Sequence, residues 1–178
     1  MNQKLVVLTG AGMSAESGIA TFRDSGGLWD RYPVEQVATP EGFAADPELV
    51  LNFYNLRRRE LLRAKPNEGH RGLAELERDF EVHIITQNID NLHEQAGSSH
   101  VLHLHGELMK VRSTGDESLL YDIDPGKCDI HLGDRCEKGY QLRPHIVWFG
   151  EAVPMIQEAE EITPVSYTHL TLPTNREV

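Results

Sequence analysis

Leu5-Val6-Val7-Leu8-Thr9-Gly10-Ala11-Gly12-Met13-Ser14-Ala15 decides the fold. Four consecutive aliphatic residues make a run short enough for a strand, and apolar on both sides, as a buried strand of a parallel sheet is. Thr9 to Gly12 then predicts a tight turn, with a helix starting near Ser14. The turn reads G-x-G-x-x-A through Gly10, Gly12 and Ala15. Glycines in that pattern let backbone N–H groups approach a pyrophosphate, whose charge the helix N-terminus stabilises. Gly-rich strand-to-helix turns also serve structural ends, so the turn alone does not assign a cofactor. A hydride-transferring dehydrogenase would add an acidic residue about 20 residues on, after a second strand. Asp30 stands near that distance but in a Gly-rich loop, which counts against that class.

Outward from this turn, residues 21–46 are rich in Gly, Pro and Asp and predict loops and short turns. From Pro47 to Lys65, Leu49, Val50, Phe53, Tyr54, Leu61 and Leu62 fit a helix. Pro66-Asn67 breaks and recaps the chain, and Leu73 and Leu76 mark the next helix. Val82 to Thr86 predicts a second buried strand, with the polar Gln87 to Asn91 at its carboxyl end. Residues 111–142 are polar and poorly periodic, as a small inserted module of helix and loop would be, and Ile146-Val147-Trp148-Phe149 resumes strand character. Ile156 to Ile162 is helix-like, whereas 164–178 has no period and reads as a non-native tail. Strands alternating with helices predict an α/β fold with a parallel sheet.

Acidic residues outnumber basic ones 28 to 17, a net charge of −11 that disfavours nucleic acid as a partner. Uninterrupted aliphatic or aromatic runs reach only four residues, far short of a membrane span. With no signal peptide in view, the expected location is cytoplasmic, where Cys128 and Cys136 would not form a disulfide framework. Four histidines, His93, His100, His103 and His105, lie close together in sequence. Each has a reference pKa suited to proton transfer near neutrality, so spacing alone leaves the choice of a general base open. Asn88 and Asp90 fall at the carboxyl end of a strand, where open α/β sheets bind ligands; capping a helix is their plainer role.

Gly10 to Ile19 followed by Thr21-Phe22-Arg23 resembles the cofactor-binding motif of the sirtuin family. Thr86-Gln87-Asn88-Ile89-Asp90-Asn91-Leu92-His93 is similar to the second sirtuin motif, His103-Leu104-His105-Gly106-Glu107 to the third, and Pro144 to Glu151 to the substrate-strand motif. Together they span residues 4–163 in the family's order. The resemblance implies a Rossmann-like sheet with small-domain insertions at about 27–75 and 109–142. It also implies NAD-dependent removal of acyl groups from protein lysines, with NAD a consumed co-substrate. His105 would then be the general base and His103 a packing residue. Asn88 would orient the ribose or a water, Asp90 the nicotinamide carboxamide, and Gln87 the ribose hydroxyls. Gly10, Ala11, Gly12, Ser14 and Ala15 would cradle the cofactor. Phe22 and Arg23 would close over it, Phe22 shielding the reacting ribose carbon. The acyl-lysine would lie along Val147, Phe149 and Gly150. Products would be free lysine, nicotinamide and O-acyl-ADP-ribose.

Tyr54 and Arg57 are three apart on a predicted helix and so share a face. Their segment resembles the Tyr-x-x-Arg of sirtuins that remove acidic acyl groups, which implies a preference for succinyl- and malonyl-lysine alongside acetyl-lysine. The competing reading makes Arg57 the start of a solvated run, Arg57-Arg58-Arg59. The sequence departs from the family in two places. Val111-Arg112-Ser113-Thr114 stands where many sirtuins carry the first Cys-x-x-Cys of a zinc site, and Cys128 and Cys136 are eight apart. With His131 they supply three ligands where structural zinc takes four, so no metal is expected. The Gly-Thr-Ser and Asn motifs that bind the adenosine half of NAD are also missing. The fold is therefore expected to be incomplete at its C-terminus and the 178-residue chain catalytically weak. A non-catalytic nucleotide-binding module and a mono-ADP-ribosyltransferase are the alternatives; the oligomeric state is open.

Overall fold

A computed structural model describes residues 3–19 and 31–163. The opening run lies in β1 (Gln3–Thr9), which pairs in parallel with β2 (Phe80–Thr86). In turn β2 pairs in parallel with β3 (Val101–His103), giving the order β1-β2-β3. The register sets Thr9 opposite Thr86 and Thr86 opposite His103. Three polar strand ends thus finish level with one another at the carboxyl edge of the sheet. One expectation is corrected here: β1 is not a fully buried strand. Among the described residues it has a partner on one side only, and Leu8 is 67% exposed.

The helix expected near Ser14 begins at Gly12 and lasts one turn, α1 (Gly12–Ala15). It stops because Gly18, at φ +82°, reverses the chain, and Ile19 N–H donates back to the Ser14 carbonyl. Residues 34–45 are also more regular than the predicted loop, forming α2 (Val34–Val37) and α3 (Pro40–Ala45). The Thr39 hydroxyl accepts from Gly42 N–H and Pro40 sits in the first turn, both helix-starting signals. Next comes α4 (Pro47–Leu61), capped by Asp46, which accepts from Leu49 N–H at 2.9 Å. It ends before the predicted Lys65 because Pro66 disfavours helical backbone at the residue before it. The recap at Asn67 starts α5 (Glu68–Glu75) with a reciprocal capping box to His70. The remaining helices are α6 (Leu92–Ala96) and α7 (Ile156–Ile162), the latter spanning the predicted residues.

The polar stretch after the third motif contains a second sheet rather than loops and helix alone. It is antiparallel, order β5-β4-β6, from β4 (Gly106–Ser113), β5 (Leu120–Asp122) and β6 (Leu142–Ile146). A register shift between Gly106 and Val111 breaks the alternation that would have announced β4 in the sequence. The expected strand at 146–149 is likewise corrected, since β6 ends at Ile146. From there each backbone N–H goes to a different place: Val147 to the His105 carbonyl, Trp148 to the Glu151 carboxylate and Phe149 to the Ala38 carbonyl. Gly150 at φ +89° completes this turn.

Buried residues gather where α4 meets the second sheet: Val50, Phe53, Tyr54, Leu61, Leu108, Ile146 and Trp148, with Leu92 of α6. Burying each large side chain there stabilises the fold by about 1.5–3 kcal/mol. A smaller cluster of Ile85, Leu104 and Ala159 seats α7 against the parallel sheet. The two stretches expected as insertions pack on each other. Asn55 Nδ2 donates to the Ile130 carbonyl at 2.9 Å, and Arg58 Nε to that of Cys128 at 2.6 Å. Phe22, Arg23 and the tail 164–178 lie outside the described residues. Among those described, no helix is long and apolar enough to cross a membrane.

Candidate active site

Between the sheet ends and the second core lies a cleft of about 380 Å3. Its first wall comes from the β1 and β2 ends. Asn88 Nδ2 donates to Ser14 Oγ at 3.0 Å, and Ser14 Oγ donates to Asp90 Oδ2 at 2.8 Å. The backbone N–H of Asn88 is held by Thr86 Oγ1 at 3.0 Å. Asp90 Oδ1 also accepts from Leu92 N–H in a turn leading into α6, whose N-cap is Asn91, and Asp90 lines the cleft as well. All three side chains are buried, which fixes their rotamers before any ligand arrives.

His105 is fixed by the same segment. Its Nδ1 lies 3.0 Å from the Gln87 carbonyl oxygen, which can only accept. Nδ1 therefore carries the proton in the neutral ring, leaving Nε2 a proton acceptor. Gly106 must follow directly: at φ +80°, a Cβ there would stand 2.0 Å from the His145 carbonyl oxygen. His103 is more than a packing residue, contrary to expectation. Its Nδ1 lies 2.8 Å from the Asn88 carbonyl and its Nε2 2.7 Å from Glu94 Oε1. Burial would lower its pKa, but the Glu94 carboxylate and the Asn88 carbonyl outweigh this, and the net direction is up. Beneath the β1 end, His93 is fully buried beside His70, ring centroids 4.8 Å apart, with its Nε2 3.1 Å from Thr9 Oγ1. Burial, then the neighbouring His70, brings its pKa down to about 4.

The second wall is α4 and the 147–151 turn, with Tyr54 and Arg57 facing the cleft together. Trp148 Nε1 donates to the Tyr54 hydroxyl at 2.9 Å. Burial pushes the pKa of that hydroxyl up to about 12, so it stays a protonated donor. Burial lowers the pKa of Arg57, opposed by Tyr54, Glu60 and Asp90. The three consecutive arginines have three fates, which removes the reading as one solvated run. Arg57 lines the cleft; Arg58 is wholly buried, donating to Cys128 and Asn55; Arg59 pairs with Asp129 at the surface.

The cleft brings together Ala11, Ser14, Gln87, Asn88, Asp90 and His105 from the first wall. Tyr54, Arg57, Val147, Phe149 and Gly150 join them from the second. Gly10, Gly12 and Ala15 do not line it. A Cβ on Gly10 would come within 3.3 Å of Gln87 Oε1, whereas one on Gly12 would meet nothing within 4 Å. The glycine turn therefore borders open space beside the cleft. Amides, a hydroxyl and a carboxylate next to exposed backbone form a set of donors and acceptors that suits a carboxamide, ribose hydroxyls and a pyrophosphate. Sequence reasoning assigned no role to Ile19, Glu60, Leu108, Trp148, Glu151 or Val153, which also line the cleft. Trp148 and Glu151 stood inside a recognised motif, but their roles depend on partners distant in sequence. Among the described residues no group of three or more His, Cys, Asp or Glu could hold a metal ion. Cys136 instead lies 3.3 Å from Ser113 Oγ, and Cys128 Sγ faces Asp129.

The Sir2 family profile matches residues 10–172. A Bacteroides thetaiotaomicron protein named NAD-dependent protein deacylase is 64% identical over 160 residues, covering 88% of this chain and 68% of that protein. A Helicobacter pylori protein of the same name is 53% identical over 170 residues, covering 96% and 70%. A solved Sir2 homologue mutant in complex with ADP-ribose superposes with a TM-score of 0.82 at 45% identity, over 90% of this chain and 66% of that one. A Sir2 homologue–NAD complex gives 0.80 at 44%, over 90% and 64%. The chain thus spans about two-thirds of the length of these relatives. By sequence and by fold, it belongs to the Sir2 family, whose members matched here bear the name NAD-dependent protein deacylase.

Proposed function

We propose that this chain carries the lysine-binding and proton-transfer parts of an NAD-dependent protein deacylase that prefers acidic acyl groups, succinyl and malonyl, over acetyl. The observation that carries the reading is the meeting of Tyr54 and Arg57 with His105 in one cleft. NAD, when bound, would supply the ribose carbon that the acyl-amide oxygen attacks as nicotinamide leaves, and the ribose hydroxyl that finally carries the acyl group. Gln87, Asn88 and Asp90, with Ser14 between the last two, hold its nicotinamide and ribose. The glycine turn takes its phosphates. His105 accepts a ribose hydroxyl proton at Nε2, the nitrogen its bond to Gln87 leaves free. Ile89, Leu108, Val147 and Val153 line the space between with apolar surface, which limits water near the reacting groups.

The Tyr54 hydroxyl and the Arg57 guanidinium bind the distal carboxylate of the acyl chain. A guanidinium can engage both carboxylate oxygens, and a charge-assisted bond away from water contributes about 1.5–3 kcal/mol. That corresponds to about ten- to over a hundredfold in discrimination. The test compares catalytic efficiency on succinyl- and acetyl-lysine peptides of one sequence, in the protein and its Arg57→Met variant. Loss of the succinyl reaction with the acetyl reaction kept is expected. An unchanged ratio would remove Arg57 from the site. Protein-linked ADP-ribose in place of O-acyl-ADP-ribose would redirect the reading to ADP-ribosyl transfer.

A further inference from the structure

Backing the acyl wall is a largely buried ion cluster that the proposed reaction does not use, and its carboxylate, Glu151, reaches the cleft. Glu151 accepts from Arg143 Nη1 at 2.6 Å and Nη2 at 3.0 Å, and from Arg112 Nη2 at 3.2 and 3.3 Å. It also accepts from the backbone N–H of Trp148 at 2.8 Å. The Arg143 guanidinium stands 3.4 Å from the centre of the Trp148 ring and donates to the Ile146 carbonyl. Phe43 packs on the same indole with ring centroids 5.3 Å apart. Trp148 is therefore held by its backbone, by its ring face and by its neighbours, and only 2% of it is exposed.

An indole held this firmly has one polar atom, and it is aimed at Tyr54. A phenol oxygen donates one proton and accepts through its lone pairs. With the indole N–H on one lone pair, the hydroxyl keeps its proton, which is the part of it that a purely accepting ligand can engage. Among the described residues no hydrogen bond from that proton to a protein acceptor is formed, although the residue is buried and faces the cleft. Accepting one hydrogen bond also strengthens a hydroxyl as a donor of the next. A carboxylate, which when ionised can only accept, is the ligand such a hydroxyl fits; the methyl group of an acetyl chain offers it nothing.

We propose that Trp148 is a specificity-determining positioning residue. Its indole N–H commits the Tyr54 hydroxyl to donation towards an acidic acyl group, and the Arg143–Glu151 bracket fixes the indole in place. This rests on the acidic-acyl reading of the cleft.

The experiment is calorimetric affinity of the full chain for Nε-succinyl-lysine and Nε-acetyl-lysine peptides of one sequence. Trp148→Phe keeps a ring under Arg143 and removes the N–H. Its succinyl-over-acetyl affinity ratio should fall about 3- to 10-fold, the scale of one hydrogen bond. Tyr54→Phe should lower the ratio too, and adding Trp148→Phe to it should lower the ratio no further, because the two groups act as one unit. A ratio untouched by Trp148→Phe, or losses that multiply in the double variant, overturns the proposal. If Trp148→Phe does not fold, Arg143→Lys carries the test through the bracket. Its ratio should fall about 2- to 3-fold, and no fall overturns the proposal. Arg57→Met in the same series separates the two readings. A protein indifferent to Arg57→Met loses the acidic-acyl reading and this proposal with it. One sensitive to Arg57→Met but indifferent to Trp148→Phe loses only the positioning role.

Discussion

On the wall built from the β1 and β2 ends, hydrogen bonds pass from an amide through a hydroxyl to a single carboxylate, Asn88 to Ser14 to Asp90. On the wall built from α4 and the 147–151 turn, two guanidinium groups close on one carboxylate, and an indole links that bracket to a phenol. The first wall keeps amide, hydroxyl and carboxylate groups ready for a ligand with amide and hydroxyl groups. The second presents one hydroxyl and one guanidinium, backed by an ion cluster whose carboxylate, Glu151, also reaches the cleft. Buried ion clusters are costly to desolvate, but once formed they hold geometry, because removing one member strands the others. The comparison teaches that the two walls should fail differently, the first in chemistry and the second in stability and selectivity.

The largest expected effect tests the first wall. His105→Ala should lower turnover about 10²- to 10⁴-fold while leaving NAD affinity largely intact, as loss of a general base does. His103→Ala should cost less turnover and more stability, since His103 bonds to Asn88 and Glu94 rather than facing the cleft. Equal turnover losses in the two variants would assign the base wrongly.

Next in size is a break of the second wall. Glu151→Ala leaves Arg112 and Arg143, each with a side chain only 10% exposed, without their carboxylate. About 3–5 kcal/mol of unfolding free energy should be lost, measurable by urea titration. A loss under about 1 kcal/mol would mean that packing, not the ion cluster, holds the turn.

Acid should then separate two buried histidines, His93 and His103. His93 has its folded pKa down near 4, so folding favours its neutral form. Its contribution is complete above about pH 6.5 and is lost as pH falls towards 4, up to about 3 kcal/mol. His70, Asp90, Glu94 and His103 are the titratable groups around it. The pKa of His103 is raised instead, so its contribution is present below about 6.5 and fades as pH rises through its folded value. Stability scans and ring-proton NMR across pH 4–8 would read both. Parallel titration of the two rings would cancel the distinction.

The smallest effect concerns the cap that ties α5 to the glycine turn. Asn67 accepts from Gly69 and His70 N–H and donates to the Met13 carbonyl at 2.8 Å. Asn67→Ala should cost about 1 kcal/mol, as lost N-caps do, and a thermal melt would show it. No change in melting would place the anchoring of the turn elsewhere.

Much of the first wall was legible in the sequence because its signals are local. A four-residue aliphatic run, two glycines and an Asn-x-Asp at a strand end each declare themselves within a few positions. The cap at Asn67 and the α7 boundaries were readable for the same reason. The second wall was legible only in part. The Tyr54–Arg57 spacing put both on one helix face, but the helix alone could not show that this face opens on His105. The antiparallel sheet stayed hidden because the irregularity in β4 erases its period, and β5 is only three residues long.

The sequence by itself determined the strand-turn-helix chemistry at the sheet edge, the helix that carries Tyr54 and Arg57, and the motifs that imply the family. Only the tertiary structure decided which of three adjacent arginines meets the cleft, that β1 has a partner on one side among the described residues, and that Trp148 joins Tyr54 to the Arg143–Glu151 pair. The physical reason is range. Periodicity, capping and turn geometry are set by neighbours along the chain. The bond from Trp148 to Tyr54 joins residues 94 positions apart, and that from Ser14 to Asp90 residues 76 apart. Such pairs exist only once the whole fold has closed around them.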